Sequence, residues 1–437
     1  MLSRRVLLNA FQPATELEDP DRFAGRGSEV RQLADTLHVT GSTPLIYGDR
    51  GLGKSSLALQ LRRIAMGDVE LLSYLGAERL ALPEEERYLT FYVTCTDATR
   101  TFDDLLQALV NAAESVENAP AADSSRSARQ LVDRTTRKKL TLKIVELEST
   151  KKYETESQRL SYQDLNLEEK LVQLCEILSS AYGQPVLFII DELDRLQNTH
   201  GLASFLKAVS SDFLKFVLVG IASNVADLLA DHRSLDRRLV PVRVPVMNPR
   251  ELAQIVLKAE AYLESEGANF HFSDDAKVLL ARTAAGFPWF VHVLGQQALS
   301  DADARGASVI SAENIADCIS GIVANRFAQQ FSDTYQQAVR DSRTREIVLR
   351  AMAGWHDADI PTGEIYRFVE SKFGITSPST YRSHLCSERH GAVISTTAIQ
   401  KRGLVRFRNE MFKAYVRLRP SIYEGVDEAV RLAWQHR

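Results

Sequence analysis

Gly48-Asp49-Arg50-Gly51-Leu52-Gly53-Lys54-Ser55 decides how the rest of the chain is read. The stretch fits G-x-x-x-x-G-K-[ST], the spacing of a phosphate-binding loop. Gly48, Gly51 and Gly53 let backbone N–H groups curl around a polyphosphate with no Cβ in the way. The spacing assigns Lys54 to the β- and γ-phosphates and the Ser55 hydroxyl to Mg²⁺, with Ser56 beside it in the phosphate-binding set. The flanks suit the loop. Pro44-Leu45-Ile46-Tyr47 reads as a short buried strand, and Ser55 to Ile64 as a helix whose N-terminus faces the anion.

Composition bounds the rest. The 437 residues suggest two to three domains, and a hydrophobic content of 45% is ample for packed cores. A net charge of −4 excludes a chain that is basic throughout, so local charge carries any nucleic-acid argument. The four cysteines, Cys95, Cys175, Cys318 and Cys386, are scattered with no C-x-x-C pair. That usage suits a reduced, cytoplasmic protein without structural zinc. The apolar run in Met1 to Ala10 is too short for a signal peptide, and no stretch has the roughly 18–20 apolar residues of a membrane span.

Strands and helices alternate after the loop. Tyr88 to Cys95, Val186 to Ile190 and Phe216 to Ile221 read as strands, the last two as unbroken apolar runs covered on both faces. Thr101 to Glu114 and Leu165 to Ser179 read as helices. This βαβ order implies a parallel sheet. Residues 1–20 read as an irregular lead-in and 117–160 as an insertion projecting from a core that spans 21–247. From Asn248 to about residue 340 the pattern is helical, with helices opened by Pro249, by Ser273-Asp274-Asp275, by Pro288 and by Ser311 to Asn314.

A second set of residues completes a nucleotide site. Ile189-Ile190-Asp191-Glu192 is an apolar strand ending in acid, the Walker B pattern. Asp191 is assigned to the Mg²⁺ water shell and Glu192 to the base that polarises water, while Asp194 and Arg195 are expected to pair at the surface. Asn224, with Ser223 as the alternative, ends a strand where a γ-phosphate sensor belongs. Arg237 and Arg238 follow the fourth strand, where a finger would reach a neighbour's γ-phosphate.

In this order the motifs resemble those of AAA+ ATPases. Gly25-Arg26 with Glu29 is similar to the G-R-x-x-E entry motif of origin-recognition-type initiators and STAND switch ATPases. That resemblance implies that Arg26 lies over the adenine. Gly220 to Asn224 looks like the initiators' sensor 1 strand with an extra Ala, and Pro245 to Leu252 is similar to their strand-to-lid junction. The stretch Gly286-Phe287-Pro288 departs from the initiators, which carry an Arg on this third lid helix. It looks instead like the G-x-P motif of STAND proteins, which implies that Pro288 packs near the adenine, and the missing lid Arg, for which upstream Arg282 is no substitute, implies slow turnover.

Residues 341–437 form a third unit. Thr344 to Met352, Pro361 to Phe373 and a segment starting at Ser377 read as helices, and Val393 to Thr396 and Leu404 to Phe407 as strands. Helix–helix–helix–hairpin is the winged-helix order, again as in initiators and several STAND proteins. Between Lys372 and Arg419 ten bases face two acids, a local balance of +8. Arg382 is assigned to a recognition helix, and Lys401, Arg402 and Arg406 to the hairpin and its strand, as contacts to duplex DNA.

The expected fold is therefore α/β: a Rossmann-like parallel-sheet P-loop ATPase core, an α-helical lid and a C-terminal winged-helix domain. The expected cofactors are ATP and Mg²⁺. The expected partners are further copies of the chain and duplex DNA or, in the alternative reading, a separate effector protein gated by the nucleotide.

Overall fold

A computed structural model describes residues 3–118, 165–221, 238–284, 286–322, 328–355, 359–396 and 403–434. The insertion read over 117–160 therefore falls almost entirely outside the described residues, as do Ser223, Asn224, Arg237, Lys401 and Arg402.

Five strands build the central sheet: β1 (Thr43–Tyr47), β2 (Leu89–Thr94), β3 (Val186–Asp191), β4 (Leu214–Gly220) and β5 (Leu239–Arg243). Their order is β2-β3-β4-β1-β5, and every pair is parallel. All residues of β3 and β4 are buried, which is why both read as continuous apolar runs. Phe91, Phe188 and Phe216 stack across β2, β3 and β4 at centroid spacings of 5.1 and 5.8 Å. The helices Phe102–Asn118, Leu167–Tyr182 and Leu202–Val209 cover that face. Gly27–Leu37 and Lys54–Ala65 cover the other. Strand β5 is absent from the sequence analysis because Pro241 interrupts its pattern. The sheet tolerates that proline at its edge, where a missing N–H breaks no ladder on the outer side.

Four helices follow: Pro249–Ser265, Asp274–Ala284, Pro288–Ala304 and Ala312–Ile322. The first starts in a full capping box between Asn248 and Glu251. Two-residue strands β6 (His271–Phe272) and β7 (Val309–Ile310) pair in parallel and tie the second helix to the fourth. The helix Ala328–Val339 leads to the C-terminal unit.

That unit runs helix Arg343–Gly354, β8 (Ile360–Pro361), helix Thr362–Phe373, helix Pro378–Cys386, β9 (Ile394–Thr396) and β10 (Leu404–Phe407). The antiparallel sheet has the order β8-β10-β9, so the hairpin packs back on the strand before the second helix, as in a winged helix. Helices Glu410–Leu418 and Val426–Trp434, not anticipated from sequence, pack against the first helix.

The N-terminus is also more than a lead-in. Arg4–Asn9 is helical and lies on the lid helix Pro288–Ala304. Phe11 is fully buried against Phe272 and His292, and a Cβ on Gly295 would meet its ring at 2.5 Å.

Candidate nucleotide site

A cavity of about 450 Å³ opens at the carboxyl ends of β1, β3 and β4. This is the crevice where parallel α/β sheets bind ligands. Its floor is the phosphate loop. Gly51 and Gly53 have φ of 81° and 85°, which a side chain rarely adopts, and Gly53 caps the helix Lys54–Ala65. Gly48 is needed for space rather than for φ, since a Cβ there would sit 2.7 Å from the Val244 carbonyl oxygen. Lys54 Nζ donates to the Asp49 carbonyl at 2.9 Å, closing the loop on itself. Burial lowers the Lys54 pKa, against the nearby carboxylates of Asp194, Asp191 and Asp49. An amine so desolvated suits a phosphate oxygen as its partner, while the neighbouring carboxylates require a cation beside any polyanion. Ser55 lines the cavity, whereas the Ser56 hydroxyl accepts from Leu17 N–H at 3.0 Å.

Asp191 and Glu192 lie at the end of β3. Asp191 is 5% exposed, and its Oδ1 accepts from Glu192 N–H at 2.7 Å. Its Oδ2 accepts from the Tyr92 hydroxyl at 2.6 Å. Burial raises the Tyr92 pKa, and the Asp191 charge raises it further, so the phenol stays a donor. Glu192 holds a left-handed φ of 53°, an uncommon conformation for a side chain of this size and one that clusters at working sites. Arg195, expected to pair with Asp194, turns instead to Glu192 through Nε and to Asp97 through Nη1 at 2.7 Å. Asp194 Oδ1 accepts from the Ile221 N–H at 3.2 Å. The reason is local geometry: a three-residue helical turn, Leu193–Arg195, carries Arg195 back over Glu192. Ser55 and Asp191 offer a hydroxyl and a carboxylate, an all-oxygen set that fits Mg²⁺.

The cavity walls come from elements far apart in sequence. Arg26 is 2% exposed, with a left-handed φ of 62°. Its guanidinium donates to the carbonyls of Leu52 (2.9 Å) and Pro245 (2.6 Å) and lies 3.7 Å from Glu29. Its N–H donates to Glu251 Oε1 at 3.2 Å. Arg26 thus ties the phosphate loop to the strand-to-lid junction. Gly286 sits on that junction in a tight space: Met247 N–H donates to the Gly286 carbonyl at 2.8 Å, and a Cβ would lie 2.6 Å from Val246. This presses Pro288 and Trp289 over Gly53 and Gly51, both about 4.0 Å from where a Cβ would be.

The segment from Gln12 to Leu17 forms the remaining wall, which sequence reading missed. It spans from lid to core. Trp289 Nε1 donates to the Pro13 carbonyl, and Gln12 N–H donates to His292 Nδ1. Gln60 Nε2 donates to the carbonyls of Leu17 and Glu18. Gln60, fully buried in the helix after the phosphate loop, is the one local sign that something covers that helix.

Arg238 lies at the amino end of β5, bonded to the Lys207 carbonyl at 2.6 Å. Its carbonyl accepts from Thr43 N–H, so it flanks the start of β1 while the phosphate loop leaves the other end. In the C-terminal unit, Arg406 forms a bidentate pair with Asp359, its Nη2 2.9 Å from Oδ2. Arg408 lies 3.4 Å from Glu388, and Arg417 donates to the carbonyls of Ala353 and Trp355. Lys413 is 3% exposed, and Arg419 lies over the Tyr335 ring. Lys372 and Arg389 are exposed and Arg382 is half-buried.

Residues 22–219 match the family model described as AAA ATPase domain, a little under half of the chain. Among solved structures, the Aeropyrum pernix ORC2 protein in its ADPNP–ADP complexes aligns over 100% of this chain and 99% of its own, at 15% identity and a TM-score of 0.50. A Walker-type ATPase of Pyrococcus abyssi aligns over 94% and 99%, at 17% identity and a TM-score of 0.47. Cdc6p from Pyrobaculum aerophilum aligns over 98% of both chains, at 14% identity and a TM-score of 0.44. The first of these alignments, at a TM-score of 0.50, describes a shared fold. No curated protein matches the sequence.

Proposed function

We propose that the chain is an ATP-hydrolysing AAA+ ATPase that assembles on ATP and engages duplex DNA through its winged helix. The division would be a core over 21–247, a lid over 248–340 and a DNA-binding unit over 341–437. The observation that supports this best is one cavity lined by the phosphate loop, Asp191, Glu192 and the lid residues Pro288 and Trp289. In this reading the loop amides and Lys54 hold the phosphates, and Ser55 and Asp191 hold Mg²⁺, which neutralises phosphate charge. Glu192 orients the attacking water once Arg195 releases it. Arg26 lines the cavity and ties the loop to the strand-to-lid junction. Arg238 stands at the wrong end of the sheet for its own site, so Arg237 or Arg238 would serve a neighbour's, and Asn224 would sense the γ-phosphate.

A second reading is a nucleotide-gated switch that releases a separate effector. The internal engagement of Arg406, Arg408, Lys413, Arg417 and Arg419 favours it, because those cations are already committed within the unit, Arg419 through the Tyr415 hydroxyl.

One experiment tests the enzymatic core. Wild type should hydrolyse Mg²⁺-ATP with a specific activity that rises over a hundredfold increase in protein concentration. Lys54→Ala should lose nucleotide binding by roughly 100-fold or more, the scale of losing a buried charge-assisted contact to phosphate. Unimpaired binding by Lys54→Ala would overturn the site. Flat activity from a species that stays monomeric would overturn assembly.

A further inference from the structure

We propose that Tyr92 is a positioning residue for the metal half of this site, fixing the orientation of the Asp191 carboxylate. The inference rests on the nucleotide reading above.

The strand register carries the argument. Strand β2 pairs with β3 so that Thr94 lies opposite Asp191 and Tyr92 opposite Ile189. Side chains alternate along a strand, so Tyr92 and Asp191 share a face, one pleat apart. A pleat of two residues is about 6.6 Å, the reach of a tyrosine and beyond that of serine or threonine. The hydroxyl arrives at Asp191 Oδ2 at 2.6 Å. The other carboxylate oxygen is held by Glu192 N–H. Each oxygen of Asp191 thus has one fixed donor and keeps a lone pair for the water shell of a metal. Tyrosine is the residue that makes this link, because phenylalanine fills the same space with no donor. Groups that orient metal ligands in this way typically affect metal affinity by about 10–100-fold.

The test uses the full chain, a fluorescent ATP analogue and Mg²⁺ titrations, with nucleotide binding as the readout. Tyr92→Phe should raise the Mg²⁺ concentration for half-maximal tight binding by roughly tenfold. Its affinity for the analogue in EDTA should stay within about twofold of wild type. In Asp191→Asn the further change Tyr92→Phe should add little, because the two residues act through one another. An unchanged Mg²⁺ midpoint in Tyr92→Phe overturns the inference. So does an equal loss in EDTA, which marks a general packing role, or full additivity with Asp191→Asn. A wild type that binds no Mg²⁺-nucleotide overturns the nucleotide reading itself and this inference with it.

Discussion

The nucleotide cavity and the C-terminal unit are both rich in charge, yet they spend it differently. Around the cavity, Lys54 from the helix after the phosphate loop and Asp191 and Glu192 from the end of β3 line one space. In the C-terminal unit, five of the ten bases between Lys372 and Arg419 are turned to a carboxylate, a carbonyl or a ring, or are buried. Counting residues in a window measures net charge. The field that a partner meets is set by which of those charges already have partners. The cavity therefore supports a ligand more strongly than the basic stretch supports a polyanion.

The wall of the cavity offers the largest effect. His292 is buried, its Nδ1 accepts from Gln12 N–H, and burial, aided by the Arg22 charge, lowers its pKa to about 4. The unfolded chain binds a proton near the ordinary value of about 6.5, and the folded chain does not until about 4. Stability is therefore full above pH 6.5 and falls as pH drops through that window. From pH 6.5 to 5 the loss should be about 2 kcal/mol, from 1.36 kcal/mol for each unit. His292→Gln keeps an acceptor that does not titrate. Its melting temperature should therefore change less with pH than that of wild type over the same range. Parallel pH profiles would show that His292 does not carry the pH dependence of stability.

The next effect concerns how the two regions use ion pairs. Glu192 is held by Arg195, which is also held by Asp97, and all three side chains are at least one-third exposed. Exposed pairs are worth at most about 1 kcal/mol, a factor of several in rate. Arg195→Ala should raise basal ATP turnover several-fold, while Glu192→Gln should keep ATP binding and cut turnover by about 100-fold or more. If Arg195→Ala lowers turnover, Arg195 assists the reaction rather than restraining the base.

What was legible in the sequence follows the reach of the interactions. The phosphate loop reads directly because its glycines, lysine and serine act within eight residues. The buried strands β3 and β4 read because both faces are apolar. The wall from Gln12 to Leu17 does not read, since Gln12 meets His292 across 280 positions, and the Arg26–Glu251 contact spans 225. Tyr92 looked like one more aromatic of a strand until the register set it beside Asp191. Arg406 looked free because Asp359 lies 47 residues upstream, outside the basic window.

That last pair gives the smallest expected effect, one whose value lies in being near zero. Each phosphate contact contributes about −0.9 to the slope of log affinity against log salt. Arg382 and Arg389 are the described bases on or just after the helix Pro378–Cys386 with no carboxylate partner within 4 Å among the described residues. Each, changed to Ala, should flatten the slope by about 0.9, and Lys401 and Arg402 together, which lie outside the described residues, by about two. Arg406→Ala should leave the slope unchanged, because Asp359 already neutralises that guanidinium in a bidentate pair. If Arg406→Ala flattens the slope as much as Arg382→Ala does, the pair opens on the duplex and the contrast between the two regions disappears on binding. Affinity that stays flat with salt even near 50 mM, with ATP present, would remove the DNA reading and leave the switch.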